Sequence, residues 1–285
     1  MNRILRHLSI VVLAVAGAWA PATPAQDAAK GYRFSPVNQY GINLTAEYWN
    51  PIINYVSDKS GVKLQLRIAR TSADTTAYVL ANEAEFVFTN HLFSPEREQL
   101  GWKVFGRRQT PPVRGQLVVP ADSPITDIAQ LKGLEVAFPG PEALVAYKMP
   151  YAQLLARNVD VRVVFGGNQD GALAQLFSGK VAAAGGNSQL LEGYAKRTGK
   201  AFRILWSSGP LHDLALMASP RVPEKDMKAV AAAFIGMGKD PLGKDILHRA
   251  SAAVGLESDA VFIASDGSEY GAYRAFYQTA PVSLR

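Results

Sequence analysis

Polar residues stand just after several short apolar runs of this sequence, in the turns Asn38–Gly41, Arg70–Ser72, Thr89–His91, Gly166–Asp170 and Gly185–Ser188. If the runs are strands of an open α/β sheet, these turns lie at its carboxyl edge, where such folds bind ligands. Amide, hydroxyl and imidazole groups there can hold a small polar molecule by hydrogen bonds. We therefore predict a ligand site formed by Tyr40, Thr89, Asn90, His91, Asn168, Gln169, Asn187 and Ser188.

Two of these turns contain a glycine pair followed by a helical pattern. Gly166-Gly167 and Gly185-Gly186 would let a ligand approach the backbone closely. The following helix would add unpaired N–H groups and the positive end of its dipole, which favour an anion. Each turn taken alone could equally be the glycine turn and helix cap that any βα unit needs. Their recurrence on successive units favours a ligand site.

The residues that catalysis or metal binding usually needs are missing or isolated. After residue 25 the histidines are His91, His212 and His248, which form no His-x-x-x-His pair. The chain has no cysteine, no Gly-x-Ser-x-Gly elbow and no phosphate-binding Walker loop. We therefore expect no metal, no cofactor and no enzymatic activity. Catalysis by paired carboxylates stays open as an alternative, because such pairs leave no spacing signal.

The elements that position these turns alternate between short apolar runs and helical periodicities. Residues 169–178 are typical, with an apolar stripe from Ala172 to Phe177, a capping Asn168 and a terminating Gly179. Such alternation predicts an α/β fold with mixed, mostly parallel sheets. The predicted strands are residues 32–37, 62–69, 86–89, 103–106, 115–120, 136–139, 161–166, 181–185, 202–207 and 213–219.

So many strands exceed what one ordinary doubly wound sheet holds, and we therefore predict two lobes with a cleft between them. No Ser/Gly-rich linker separates them, so the chain should cross on extended segments near Pro111–Val113 and Ser207–Pro210. The first lobe would be discontinuous and would comprise residues 26–113 and 210–285. Residues 114–209 would form the second lobe.

The first 25 residues have the order of a cleavable secretory signal peptide. Arg3 and Arg6 come first, an apolar stretch from Leu8 to Trp19 follows, and Thr23–Ala25 offers a cleavage site. The stretch falls short of the roughly 20 apolar residues that a membrane-spanning helix needs. We expect a periplasmic protein. The formal net charge of +6 is mild and no run of five like charges occurs, so a nucleic-acid partner is not expected.

Several segments together resemble one protein family: Ser35–Asn38, Pro51–Val56, Glu85–Asn90, Asp122–Ile125, Val136–Pro141, Gly166–Ala172 and Gly179–Ala183. Their order and spacing resemble the substrate-binding proteins of phosphate, phosphite and phosphonate ABC transporters, which have the type II periplasmic binding protein fold. The resemblance implies two lobes that close on one small oxyanion and deliver it, chemically unaltered, to a membrane permease.

Three positions depart from that family's pattern. Ala143-Leu144-Val145 stands where the family has a hydroxyl-rich run at a helix start, Asn168 where it has a histidine, and Ala182 where it has an acidic residue. Side-chain donors for an oxyanion are lost, whereas backbone donors are kept. The expected ligand is therefore an oxyanion or a small polar metabolite. The alternative function is an extracytoplasmic ligand-sensing module for a histidine kinase or chemoreceptor.

Overall fold

The computed structural model describes residues 31–256 and 259–285, so the predicted signal peptide lies outside the described residues. The strands are β1 Tyr32–Pro36, β2 Leu64–Leu66, β3 Phe86–Thr89, β4 Lys103–Gln109, β5 Gly115–Pro120, β6 Glu135–Phe138, β7 Arg162–Phe165, β8 Ala183–Asn187, β9 Phe202–Ser207, β10 Ala215–Ala218 and β11 Val261–Ala264. The α-helices are α1 Ile42–Ser60, α2 Ser72–Leu80, α3 Pro95–Glu98, α4 Met149–Ala156, α5 Gln169–Phe177, α6 Ser188–Thr198, α7 Glu224–Gly236, α8 Pro241–Val254 and α9 Gly271–Thr279.

The strands form two sheets, which confirms the predicted two-lobe α/β fold. The first has the order β11-β4-β10-β3-β1-β2 and the second the order β7-β6-β8-β5-β9. Both sheets are mixed. The prediction that they are mostly parallel is wrong, because only four of the nine pairings between described strands are parallel. The antiparallel pairs arise where the chain enters or leaves a lobe, because β4, β5, β9 and β10 flank the crossings.

All ten predicted strands are present, and β11 is the strand that the sequence pattern did not predict. It is a four-residue strand at the edge of the first sheet and pairs antiparallel with β4. Its residues Val261–Ala264 follow α8 closely, and no alternation sets them apart from a loop. The predicted helix at 169–178 is confirmed as α5, where the Asn168 side chain accepts a hydrogen bond from Gly171 N at 2.8 Å.

Each sheet is covered on both faces, since adjacent strand residues point to opposite sides. In β5, Leu117 and Val119 pack with Phe138 and Leu154 on one face, while Val118 packs with helix α5 on the other. The first sheet packs one face on an aromatic core from α1 and α7. Its other face packs on α9. No helix of the described residues is both long and apolar enough to span a membrane.

Two neighbouring segments join the lobes. Sheet membership changes between β4 and β5 and again between β9 and β10. The two crossings pair with each other, because Val113 and Leu211 exchange two backbone hydrogen bonds of 2.9 Å. The predicted lobe boundaries after residues 113 and 209 fall within these segments and stay a prediction.

Candidate functional site

A small cavity lies between the lobes, next to the carboxyl ends of β1, β3, β6 and β8. Its volume is about 50 Å³ for the centre of a water-sized sphere. One water molecule needs roughly 10–15 Å³ on that measure, so the cavity fits a ligand of only a few heavy atoms. It is lined by Val37, Asn38, Gln39, Ser72, Asn90, His91, Pro139, Ala143, Leu144, Val145, Ala146, Gln169, Asn187, Leu190 and Leu214.

The starts of five helices border this cavity. The lining includes Gln39 just before α1, Ser72 at the start of α2, Ala143–Ala146 at a π-helical turn leading into α4, Gln169 at the start of α5 and the N-cap Asn187 of α6. Each helix N-terminus carries about half a positive charge, so together they favour an anion. No Lys, Arg, Asp or Glu among the described residues lines the cavity. The positive potential therefore comes from the backbone.

The π-helical turn, Leu144–Lys148, supplies backbone donors at the cavity. First-turn N–H groups have no acceptor within their helix, and Leu144, Val145 and Ala146 are the first-turn residues here. Their side chains are buried and apolar. An oxyanion at this helix start would thus be held by N–H groups and surrounded by methyl groups.

Four of the eight predicted site residues line the cavity: Asn90, His91, Gln169 and Asn187. Gln169 connects two turns, since its Nε2 donates to Gly185 O at 3.2 Å and its Oε1 accepts from Asn187 N at 3.3 Å. Asn187 caps α6 with its Oδ1, which accepts from Gln189 N at 3.0 Å. The amide NH₂ of Asn187 is then the part of that side chain that can serve a ligand.

His91 presents an uncharged ring to the cavity. Its Nδ1 lies 3.0 Å from Thr76 Oγ1. Burial lowers the pKa of His91 to about 4, outweighing the opposite effect of nearby Glu142. At neutral pH the imidazole is therefore neutral and contributes a dipole rather than a charge.

The other four predicted residues do not line the cavity. Three of them bond to neighbouring protein groups, whereas the buried Tyr40 hydroxyl has no hydrogen-bond partner among the described residues. Thr89 Oγ1 accepts from His91 N at 3.1 Å, and Ser188 Oγ accepts from Arg114 N at 3.0 Å. Asn168 caps α5, and the Tyr40 ring packs 5.5 Å from the Arg197 guanidinium. These residues position the turns, and their direct contact with a ligand stays a prediction.

Asn38, Gln39 and Ser72 line the cavity but were not among the predicted site residues. Asn38 Nδ2 donates to Ala69 O at 3.1 Å and Arg70 O at 2.7 Å, while its buried Oδ1 has no partner among the described residues. Ser72 Oγ is likewise buried and unpartnered. All three lie in turns that the sequence singles out, but nothing in a turn's sequence says which of its side chains points inward.

Three of the four paired glycines, Gly166, Gly185 and Gly186, make room for protein groups, so the expectation that they admit a ligand is wrong for these three. Gly185 lies inside β8, where a Cβ would stand 2.5 Å from Ala146 O and 2.4 Å from the Phe138 ring. A Cβ on Gly186 would stand 2.7 Å from the Leu191 side chain, and one on Gly166 would stand 2.3 Å from Ala172 N. These glycines let the cavity-forming helix starts pack directly on the second sheet.

Several contacts join the two lobes on either side of the cleft. Gln169 N donates to Gln39 O at 3.3 Å, and Arg197 Nη1 donates to Val254 O at 2.7 Å. Arg97 forms an ion pair with Glu142 across the cleft, with Nη2 and Oε1 3.1 Å apart. Burial acts to raise the pKa of Glu142, but the hydrogen bond from Arg97 and the nearby positive charges together outweigh it and the pKa is lowered.

A fully buried ion pair lies behind the cavity, beside the crossings. Arg108 Nε donates to Asp213 Oδ2 at 2.7 Å, and neither side chain is exposed. Arg108 Nη2 also donates to Gln39 Oε1 at 3.4 Å in the first lobe and to Gln189 Oε1 at 3.0 Å in the second. Burial acts to lower the pKa of Arg108, but the charge and hydrogen bond of Asp213 together with Tyr48 and Tyr40 outweigh it, and the pKa is raised well above its usual range.

The comparisons with known proteins point to one family. A family model described as "ABC transporter, phosphonate, periplasmic substrate-binding protein" matches residues 35–261, which is most of the chain. No curated protein sequence matches. The chain is similar in structure to a binding protein component of an ABC phosphonate transporter from Pseudomonas aeruginosa, with a TM-score of 0.74 and 16% identity over 87% of this chain and 86% of that one.

Two further solved structures show how widely the fold occurs. PhnD1 from Prochlorococcus marinus, in complex with methylphosphonate, has a TM-score of 0.72 at 16% identity and covers 87% of this chain and 97% of its own. The GluR0 ligand-binding core from Nostoc punctiforme, in complex with glutamate, has a TM-score of 0.51 at 15% identity, covering 76% and 98%. At such identities the likeness shows the two-lobe fold.

Proposed function

The chain belongs to the family of periplasmic substrate-binding proteins of phosphonate ABC transporters, and on this basis we propose that its lobes close on one small oxyanion. The observation that carries the proposal is the small cavity between the lobes, bordered by five helix starts. Its size suits a molecule such as the methylphosphonate held by the Prochlorococcus marinus relative. The helix starts supply N–H donors and positive potential where an anion would lie.

Capture would combine donors from both lobes. Asn90 and His91 belong to the turn after β3, whereas Asn187 and the N–H groups of residues 144–146 belong to the second lobe. A ligand between them is bonded fully only when the lobes meet, so ligand binding favours the closed form. The Arg97–Glu142 pair and the Gln169–Gln39 hydrogen bond form at the same closure.

Transport rather than catalysis accounts for the cavity's chemistry. Its lining consists of amides, one hydroxyl, a neutral imidazole and apolar groups, without a carboxylate or amine among the described residues. We propose that the ligand is released unaltered to an ABC permease in the membrane. The signal peptide would be removed near residue 25, in keeping with the periplasmic location of the family. The sensing alternative is not favoured, because the family is a transporter component.

Isothermal titration calorimetry with methylphosphonate tests the proposal. We expect one equivalent of methylphosphonate to bind and to raise the melting temperature of the protein by mass action. The released ligand should be chemically unchanged. Ala143→Asp places a carboxylate among the oxyanion donors and should weaken binding at least about 100-fold by like-charge repulsion. Ala129→Asp is the matched control, because Ala129 is exposed in the first turn of a short 3₁₀ helix away from the cavity.

A cavity that binds no oxyanion would contradict the proposal. Equal loss of affinity in both Asp variants would place the ligand elsewhere. Both variants put Asp near the start of a helical segment, where it is well tolerated. A difference between them therefore reports the position of the ligand rather than a difference in folding.

A further inference from the structure

Asn38 lines the cavity, and the one polar atom of its side chain left without a protein partner is a hydrogen-bond acceptor. A side-chain amide has two N–H hydrogens, and those of Asn38 are used by the Ala69 and Arg70 carbonyls. If the Asn38 amide were rotated by 180°, its oxygen would face both carbonyl oxygens and the two hydrogen bonds would be lost. These bonds therefore fix the orientation of the amide. The free atom is Oδ1, which is buried and unpartnered in a side chain only 2% exposed.

Three arginines around the cavity are each paired with a carboxylate. Arg97 pairs with Glu142, Arg108 with Asp213 and Arg197 with Asp170. Lys148 lies outside the lining, with its ammonium group 5.1 Å from the centre of the Tyr277 ring. His91 is neutral above pH 5, since burial holds its pKa at about 4. The cavity thus offers helix dipoles to an anion but no side-chain cation to balance a second charge.

Ser72 is the second unpartnered polar group of the lining, and it differs from Asn38 in its chemistry. A hydroxyl can donate or accept, so Ser72 Oγ can bond to any oxygen of a ligand, protonated or not. Asn38 Oδ1 is satisfied only by a ligand that carries a hydrogen-bond donor. A fully ionised oxyanion presents acceptors alone, and would leave Oδ1 facing another negative oxygen.

We propose that the site selects a singly protonated oxyanion, whose hydroxyl donates to Asn38 Oδ1 while its other oxygens accept from the N–H groups of residues 144–146. The proposal rests on the proposed function and names the ligand's form in the same cavity. Asn38 is then the residue that determines specificity for acids that keep a proton near neutral pH, such as phosphonates, over sulfonates of the same shape.

Methylphosphonate and methanesulfonate are matched probes, because at pH 6 both are predominantly monoanions of the same tetrahedral shape and only the phosphonate has an acidic hydroxyl. We expect methylphosphonate to bind at least about 10-fold more tightly, since an unmet buried acceptor costs that much or more. Its affinity should fall between pH 6 and pH 8.5 as it loses its second proton. Methanesulfonate keeps one charge throughout, so its affinity reports any change in the protein itself.

Two variants separate the roles of the lining groups. Asn38→Ala should remove most of the preference, so that the two dissociation constants become similar. Ser72→Ala should weaken both ligands by a comparable factor and keep their ratio. If Asn38→Ala does not fold, the comparison of the two ligands on the unaltered protein decides the question.

The outcomes distinguish the two proposals. Equal affinity for both ligands, or a phosphonate affinity that does not change with pH, would overturn the selection of a protonated ligand and leave oxyanion capture in place. Failure of both ligands to bind would overturn the proposed function, and this inference with it. If methylphosphonate binds more tightly than methanesulfonate at pH 6, and this preference disappears in Asn38→Ala, the assignment of Asn38 is supported.

Discussion

The cavity and the region behind it are both buried, yet they handle charge in opposite ways. The lining of the cavity contains no charged side chain of the described residues, and its only titratable ring is neutral. Behind it, Arg108 and Asp213 form an ion pair with no exposure at all. Arg108 also bonds to Gln39 and Gln189, one from each lobe.

This difference separates two tasks. A charge that is permanently paired can fix how the lobes meet, because its partners must all be in place before the charge is satisfied. A ligand that must arrive and leave is better held by neutral dipoles, because they cost less than charges to remove from water each time the cleft closes. Damage to the ion pair should therefore reduce stability, whereas damage to the lining should reduce affinity.

The largest effect should come from breaking the buried pair. Asp213→Asn leaves the Arg108 guanidinium buried without a counter-charge, and we expect the free energy of unfolding to fall by about 3–5 kcal/mol. Urea denaturation followed by circular dichroism measures this change. Glu224→Gln is the control, because Glu224 pairs with Lys228 on the exposed surface, and no measurable loss is expected there. Comparable losses in the two variants would mean that the buried pair stabilises the fold no more than an exposed one.

The neutrality of His91 predicts how stability depends on pH. Its pKa is about 4 in the folded protein, against an ordinary value of 6.5. The unfolded chain therefore binds the proton more readily, and stability should fall as the pH drops from about 6.5 towards 4. The loss should approach about 3 kcal/mol at full protonation. Denaturation at pH 7.5, 6 and 4.5 measures it.

His91→Gln should abolish this part of the pH dependence. His248→Gln is the matched control, since His248 is exposed on α8 and remote from the cavity. If His91→Gln loses stability on acidification as steeply as the unaltered protein, another group is responsible and the cavity's neutrality is not what acid disrupts.

A third effect concerns the packing that places the helix start at the cavity. In Gly185→Ala the new methyl group would meet Ala146 O and the Phe138 ring at about 2.5 Å, so we expect a loss of about 1–3 kcal/mol in unfolding free energy. Affinity should fall as well, because the N–H donors of residues 144–146 would be displaced. Gly236→Ala is the control, because a Cβ there meets nothing within 4 Å, and it should be neutral or stabilising. Unchanged affinity in Gly185→Ala would show that the helix start does not hold the ligand.

These glycines also mark the limit of what the sequence could predict. The alternation of apolar runs located ten strands and the two-lobe fold, and the capping pattern located α5, because both signals are local. The edge strand β11 lacked such a pattern. The atoms that enclose Gly185, and the hydrogen bonds that leave Oδ1 as the free atom of Asn38, depend on residues far apart in sequence. Helix starts and turns were therefore predictable, whereas only half of the predicted site residues line the cavity.

The smallest effect should come from the ion pair that spans the cleft. Arg97 and Glu142 are each about one-fifth exposed, so the pair contributes on the order of 1 kcal/mol. Because it joins the two lobes, the proposed closure would form it and opening would break it, and hence its loss should favour the open form. We expect Glu142→Gln to weaken ligand binding about 5-fold, measured by calorimetry, and to increase the radius of gyration in the presence of subsaturating ligand.

Glu98→Gln is the control for Glu142→Gln. It removes the same charge from an ion pair that does not span the cleft. Glu98 is the neighbour of Arg97 on α3 and pairs with Arg274, with Nε and Oε1 2.6 Å apart. Both partners of that pair belong to the first sheet's lobe, so it persists in the open and closed forms alike. Removing it should leave affinity unchanged, because an interaction present in both states cannot shift the equilibrium between them. Equal weakening by the two variants would mean that general electrostatics, rather than a contact made on closure, supports ligand capture.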